Sequence, residues 1–262
     1  RGQRMSRWQA RSVSLAMSLA GQVIYPFDDA EDLLRGARDV IDAAPDGLQC
    51  LPFTFRVPPI DAFPAELHGQ PVLDLVIFHL EPDALEAVRP LRELGVPILD
   101  AVGRTPYTAA QAAFDPNLPA GARYYSRGHD LATLSDDAID TFCAHVRTMV
   151  GPLTIAYFEP KGGAAGRIAP EVTAMGGRQA AYSWHVLGGW IEPDDDAEVM
   201  GWAREFADAM APHATGGVYV NLLAEDESQR VPTAFSDVER LRALKRSWDP
   251  TNVFSANHNL VP

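Results

Sequence analysis

The chain has 262 residues, 47% hydrophobic and 22% charged, with 22 Lys and Arg against 35 Asp and Glu for a net charge of −13. That apolar fraction excludes global disorder, and the acidic balance argues against duplex DNA or RNA, whose binding rests on clustered positive charge. Two lysines, Lys161 and Lys245, leave little room for Schiff-base chemistry. Two cysteines, Cys50 and Cys143, give neither a disulfide framework nor metal-ligand spacing, so no metal site is expected and a reducing, cytoplasmic setting is.

Arg1, Arg4, Arg7 and Arg11 precede an apolar stretch over residues 12–24, as a basic region precedes the core of a signal peptide. The stretch alternates, however: Val13, Leu15, Met17 and Leu19 are interleaved with Ser and Ala, which is the period of a half-buried strand. No apolar run reaches the ~20 residues that cross a bilayer. Asp28 or Asp29 is then placed to cap a helix carrying Leu33, Leu34, Ala37, Val40 and Ile41, stopped by Pro45. Strands are predicted over 48–57 and 72–80, the second strongly apolar. Pro82 opens a helix with Leu85, Val88, Leu91 and Leu94 on one face. A short helix over 105–114, a strand over 124–131, and a helix capped at Ser135 with Ile139, Phe142, Val146 and Met149 follow.

The second half keeps this rhythm. Strands are predicted over 153–159 and 180–191, with a turn at Gly162-Gly163 between them. Pro193 and three aspartates open a helix bearing Val199, Trp202, Phe206 and Met210, the acids suiting its positive end. A short strand over 218–223 leads to a final helix over 238–248. Paired strands alternating with helices predict one α+β domain spanning 1–262, a mostly antiparallel sheet with helices packed on one face. The sequence has no G-x-G-x-x-G, P-loop, G-x-S-x-G or H-E-x-x-H motif.

The last stretch is more specific. Tyr219-Val220-Asn221 is followed by Arg240-Leu241, Lys245, Trp248-Asp249-Pro250-Thr251-Asn252-Val253-Phe254 and a polar tail. This resembles the C-terminal signature of the berberine-bridge-enzyme-like flavoproteins, a branch of the FAD-linked oxidases. Earlier pieces agree in order: Pro64 to Gly69, Pro106-Tyr107-Thr108, Tyr124-Tyr125, Glu159 with Gly162-Gly163, and Tyr182 with Trp190. The resemblance runs from about Ser12 onward and implies the family's substrate domain, whose open sheet face covers one side of the flavin ring. The family's N-terminal FAD-binding domain, with its covalent His and Cys attachment, has no counterpart in this sequence. Three departures fall near expected contacts: Gly177 stands where a His is usual ahead of Arg178, Phe235-Ser236-Asp237-Val238 replaces a Tyr-Gly-x-Asn-Tyr loop, and His258 replaces a Gln.

Candidate residues follow from both sources. On a strand, Tyr219 and Asn221 share a face, and the resemblance makes Tyr219 a base. Glu159 closes an apolar strand, where a carboxyl can be raised into the range of a general acid. His129 matches a substrate-side position of the family. Tyr182 and Trp184 share one face of their strand as pocket-lining aromatics, His185 facing the other way, and Tyr125 and Arg178 complete the substrate-binding set.

The expected function is flavin-independent acid–base cyclisation of a planar aromatic substrate, for example Pictet–Spengler condensation of an indole amine with a carbonyl compound, with no cofactor. The alternatives are the substrate-binding part of an FAD-dependent oxidoreductase and a non-catalytic ligand-binding protein. An uncovered sheet face calls for a homodimer or an FAD-domain partner, with no nucleic acid or membrane involved.

Overall fold

The computed structural model describes residues 17–61 and 63–262. Its strands are β1 (Met17–Pro26), β2 (Leu48–Arg56), β3 (Pro71–His79), β4 (Leu99–Asp100), β5 (Gly103–Pro106), β6 (Arg123–Leu131), β7 (Ile155–Pro160) and β8 (Tyr182–Trp190). The helices are α1 (Ala30–Asp42), α2 (Leu85–Arg92), α3 (Tyr107–Gln111), α4 (Asp136–Arg147), α5 (Gly163–Gly166), α6 (Asp196–Met210) and α7 (Val238–Trp248). All strands join one antiparallel sheet in the order β4-β1-β3-β2-β7-β8-β6, with β5 also on the β1 edge.

One face of that sheet carries the core. Leu19, Val23 and Tyr25 of β1 meet Leu73, Leu75 and Ile77 of β3, and further along Ala156, Phe158, Trp184 and Val186 continue the layer. Helices α1, α2, α4 and α6 lie on it, supplying Leu34, Leu91, Phe142 and Phe206 among others. Their apolar spacing dictates this: each buries one stripe and leaves its charges in water, as with Arg35 and Arg38 of α1 facing Asp136 near the start of α4. Ser135 Oγ accepts from the Ala138 N–H (3.2 Å), capping α4 as its sequence predicts. Asp29 holds the N-cap position of α1 without a side-chain capping bond.

Two expectations needed correction, and one reaches beyond the described residues. Residues 12–16 of the first predicted strand lie outside the described residues, and the described part, β1, runs on to Pro26. The predicted helix over 105–114 begins as β5, paired with Met17 to Ala20 of β1, and turns helical only over Tyr107–Gln111. Two-residue β4 and four-residue β5 have little strand propensity of their own; the exposed edge of β1 organises them. The predicted strand over 218–223 is a loop with a single 3₁₀ turn at Val220–Leu222. The preceding backbone pairs with the β6 edge, through Thr215 N–H to Asp130 O (2.8 Å) and Asp130 N–H to Gly217 O (3.0 Å), and the segment itself is tied to β6 by a side chain, Ser126 Oγ donating to Leu222 O (2.6 Å). Val218 and Leu223 then bury against Val231 and Ala234 rather than against the sheet.

No helix among the described residues is long and apolar enough to cross a membrane. Cys50 and Cys143 are both buried and free.

Candidate functional site

Among the described residues the second face of the sheet lacks the helix layer of the first, and short α3 meets only one end of it, Tyr107 against Phe78 with centroids 6.0 Å apart. The strand register lines up one row of side chains straight across it: Ile24, Asp74, Phe53, Tyr157, His185 and Gly128 are each the direct cross-strand partner of the next. Phe53 and Tyr157 stack, with centroids 5.7 Å apart and planes at 21°, and Phe114 from the loop after α3 approaches Phe53 at 5.7 Å. That loop overhangs the face with Pro116 and Leu118 and turns it into a trough of about 730 Å³, within the range of ligand pockets. At one side, Phe55 and Phe63 close the trough over the small cluster of Ile24, Val57 and Val72.

The far end of the row is polar. His185 is buried, and neither ring nitrogen has a hydrogen-bond partner among the described residues. Gly128 makes this seat, because any Cβ there would collide with His185 Nδ1. Burial pushes the imidazole down to about 4, so at neutral pH it is uncharged. Its Nε2 lies 3.8 Å from Glu159 Oε2. The half-exposed Glu159 carboxyl is raised by burial, a rise opposed by Lys161 and reinforced by Asp130. Tyr157 is pushed up to about 12 by burial first, then by Glu159 and Tyr219, and so keeps its proton as a donor. An uncharged imidazole, a carboxyl and a phenol thus converge beside an aromatic floor, which is a proton-transfer constellation.

Behind them lies a buried ion pair. Asp130, fully buried, accepts on Oδ1 from Lys161 Nζ (2.7 Å) and Ser183 Oγ (2.5 Å), while Oδ2 has no partner among the described residues. Gly177, at φ +67°, leaves no space for a Cβ beside Asp130 Oδ2 and Lys161 Nζ. A histidine, usual there in the resembled family, would require that pair to move.

The residues expected from sequence divide between two sides of the sheet. Glu159 is on the open face. Tyr219 lies close enough to influence Tyr157, and its hydroxyl accepts from Asn221 Nδ2 (2.8 Å), so the pair is joined by a turn instead of a strand. Tyr182 and Trp184 are on the helix side, 1% and 0% exposed, which corrects their placement in the pocket. Trp184 packs on Phe206 (4.7 Å) and Tyr182 donates to Asp42 (2.6 Å).

His129 also leaves the pocket. It stacks on Trp184, its Nε2–H donates to Ala207 O (3.1 Å) and its Nδ1 accepts from Arg230 (3.2 Å), which occupies both nitrogens. Burial, then Arg230, holds its pKa below the ordinary value. Tyr125 donates to Asp226 (2.7 Å) beneath Arg127 and Arg204, in the loop that covers the β6 edge. Arg178 ties Thr173 (2.9 Å) to Ala165 O (3.0 Å) and braces the approach to β8. Phe53, Asp74, Tyr157 and His185 are open-face residues that sequence reasoning did not choose. Strand parity had already set His185 opposite Trp184, and Asp74 is the single acid in the most apolar strand.

Comparisons with known proteins match this architecture. Residues 218–260 fit the family profile described as "Berberine and berberine like". A Bacillus subtilis (strain 168) protein described as "Uncharacterized FAD-linked oxidoreductase YgaK" is 29% identical over 67% of this chain and 39% of its own length. The FAD-linked oxidoreductase aurO of Gibberella zeae is 22% identical over 93% of this chain and 47% of its own. Among solved structures, 6-hydroxy-D-nicotine oxidase of Arthrobacter nicotinovorans superposes with TM-score 0.77 at 18% identity, covering 94% of this chain and 55% of that one. Berberine bridge enzyme of Eschscholzia californica gives 0.76 at 16% identity, again over 94% and 55%.

In its fold and its C-terminal segment the chain is similar to proteins described as FAD-linked oxidoreductases. Residues 218–260 match the berberine-like profile, and the fold resembles that of the berberine-bridge-like proteins over about 55% of their length, the part that forms their substrate domain. It spans about half the length, or less, of the curated relatives it matches.

The residues present suit the ring of a flavin and not its pyrophosphate. Phe53 and Tyr157 offer a flat aromatic floor, with Glu159 at its edge for polar ring atoms and His185 buried behind Glu159 and Tyr157. Arg56, the cation among the described residues lining the trough, already donates to the carbonyls of Met149 (2.9 Å), Gly69 (2.6 Å) and Arg147 (3.3 Å), so it is not free to clamp a phosphate.

Proposed function

We propose that this chain forms the substrate-binding wall of an FAD-linked oxidoreductase acting on a planar aromatic substrate. The reading is carried by the in-register row on the open face, which sets a stacked aromatic floor beside the Glu159–His185 pair. The opposite wall is supplied by an FAD-binding domain, on this polypeptide or another. A bound flavin supplies the hydride acceptor. The chain's own residues hold the ring flat on Phe53 and Tyr157, exclude water beneath the Phe114 loop, and take the substrate's proton at the uncharged His185 or at Glu159. Tyr219 and Asn221 present polar atoms near Tyr157 and orient the substrate's oxygen or nitrogen.

A second reading, ring closure by acid–base chemistry without flavin, rests on Glu159, whose carboxyl is raised from its ordinary value by burial. Product analysis separates the two. The protein is incubated with an indole amine, with and without FAD and with and without an aldehyde. A product lacking two hydrogens that forms only with FAD supports the oxidoreductase reading. A condensed ring that forms with aldehyde and no FAD overturns it in favour of cyclisation.

A further inference from the structure

Asp74 is the anomaly of the trough. It is 0% exposed, flanked in register by Ile24 and Phe53, and lines the trough floor. Oδ2 accepts from Gln22 Nε2 (2.5 Å), while Oδ1 has no partner among the described residues. Among the described residues no Lys, Arg or His pairs with it. Burying a carboxyl on those terms costs several kcal/mol, and burial raises this one to about 7. A group that costs so much and is left with one oxygen unanswered by the described residues is most simply accounted for by a ligand that completes it.

We propose that the trough recognises an aromatic amine as its substrate class, the ring lying on Phe53 and Tyr157 and the protonated amine donating to Asp74 Oδ1. This deepens the proposed function and rests on its reading of the open face as the substrate wall. The row explains the geometry. Asp74 and His185 stand three strands apart, roughly 14 Å at about 4.8 Å per strand, with the two stacked rings between them. A bicyclic or tricyclic amine spans that distance, charged end at Asp74 and reacting end at His185 and Glu159. A cation is the complement of a buried carboxylate with one free oxygen, and the net charge of −13 favours its approach.

The test compares two probes by titration calorimetry on the 262-residue chain: tryptamine, and 3-propylindole, which has a methyl group where tryptamine has its ammonium. The expected result is tryptamine binding at least about tenfold tighter, as a charge-assisted hydrogen bond gives. Asp74→Asn should remove about that factor for tryptamine and leave 3-propylindole within about twofold, with an unchanged far-ultraviolet circular dichroism spectrum. Equal affinity of the two probes for the unaltered chain overturns the assignment of Asp74 and leaves the aromatic trough standing. Failure of both probes to bind overturns the aromatic trough itself, and with it the substrate class.

Discussion

Replacing Asp74 with asparagine should stabilise the protein at neutral pH, although the change removes a charged side chain from a hydrogen bond. Asp74 faces Ile24 and Phe53 across the sheet, and burial raises its carboxyl from 3.8 to about 7 against the opposing hydrogen bond from Gln22. An acid with a raised folded-state pKa keeps its proton longer in the folded chain than in the unfolded one. Its contribution is therefore complete below about pH 4 and is lost as pH rises through about 7. At about 1.4 kcal/mol per pH unit the loss reaches ~4 kcal/mol, of which ~3 kcal/mol accrues between about pH 5 and 8. Asparagine has the shape of the protonated acid, keeps an oxygen for Gln22 Nε2 and never ionises. Urea unfolding of both proteins across that range shares every other titrating group. The stability difference should widen by ~3 kcal/mol toward high pH, in favour of the variant. A difference constant to within about 0.5 kcal/mol would mean that Asp74 ionises inside the fold at no cost, and the burial argument would fail.

Other substitutions probe the rest of the site. Lys161→Met leaves fully buried Asp130 without its cation and should cost about 3–5 kcal/mol in urea unfolding. Trp184→Ala opens a cavity on the helix side of the sheet and should cost about 3–5 kcal/mol, while 3-propylindole affinity stays within about twofold; a selective loss of ligand would return Trp184 to the pocket. His185, pushed down to about 4, should stay uncharged in nuclear magnetic resonance titrations down to about pH 5. Because its folded value lies below its unfolded one, the protein should lose stability as pH falls from about 6.5 toward 4, and His185→Gln should flatten that acid limb.

The fold was legible where one chemical pattern settles each element. The final helix has its predicted bounds because Asp237 accepts from the Arg240 N–H (2.9 Å) at one end and Asp249-Pro250 stops the other. The helix stripes of Val199, Trp202, Phe206 and Met210 became core for the same reason. The site was harder to read, since parity sorts residues into two faces without saying which one helices cover. Tyr182 and Trp184 looked like pocket aromatics until Phe206 was found against Trp184. Tyr219 and Asn221 do meet, but through a turn that alternation alone cannot distinguish from a strand. Asp74 carried a sequence signal, one acid inside the run of Val72, Leu73, Leu75, Val76 and Ile77. Its meaning depended on Ile24 and Phe53 as cross-strand neighbours, and register is a property of the folded sheet.

The open face of the sheet should receive a flat ring on Phe53 and Tyr157. Spectrophotometric titration of the chain with riboflavin, and in parallel with FAD, tests it most directly, because riboflavin carries the ring without the pyrophosphate. Both ligands should give a saturable change in the visible flavin band, of similar affinity, and Tyr157→Ala should abolish it. A flavin band unchanged up to the solubility limit of riboflavin would contradict the claim.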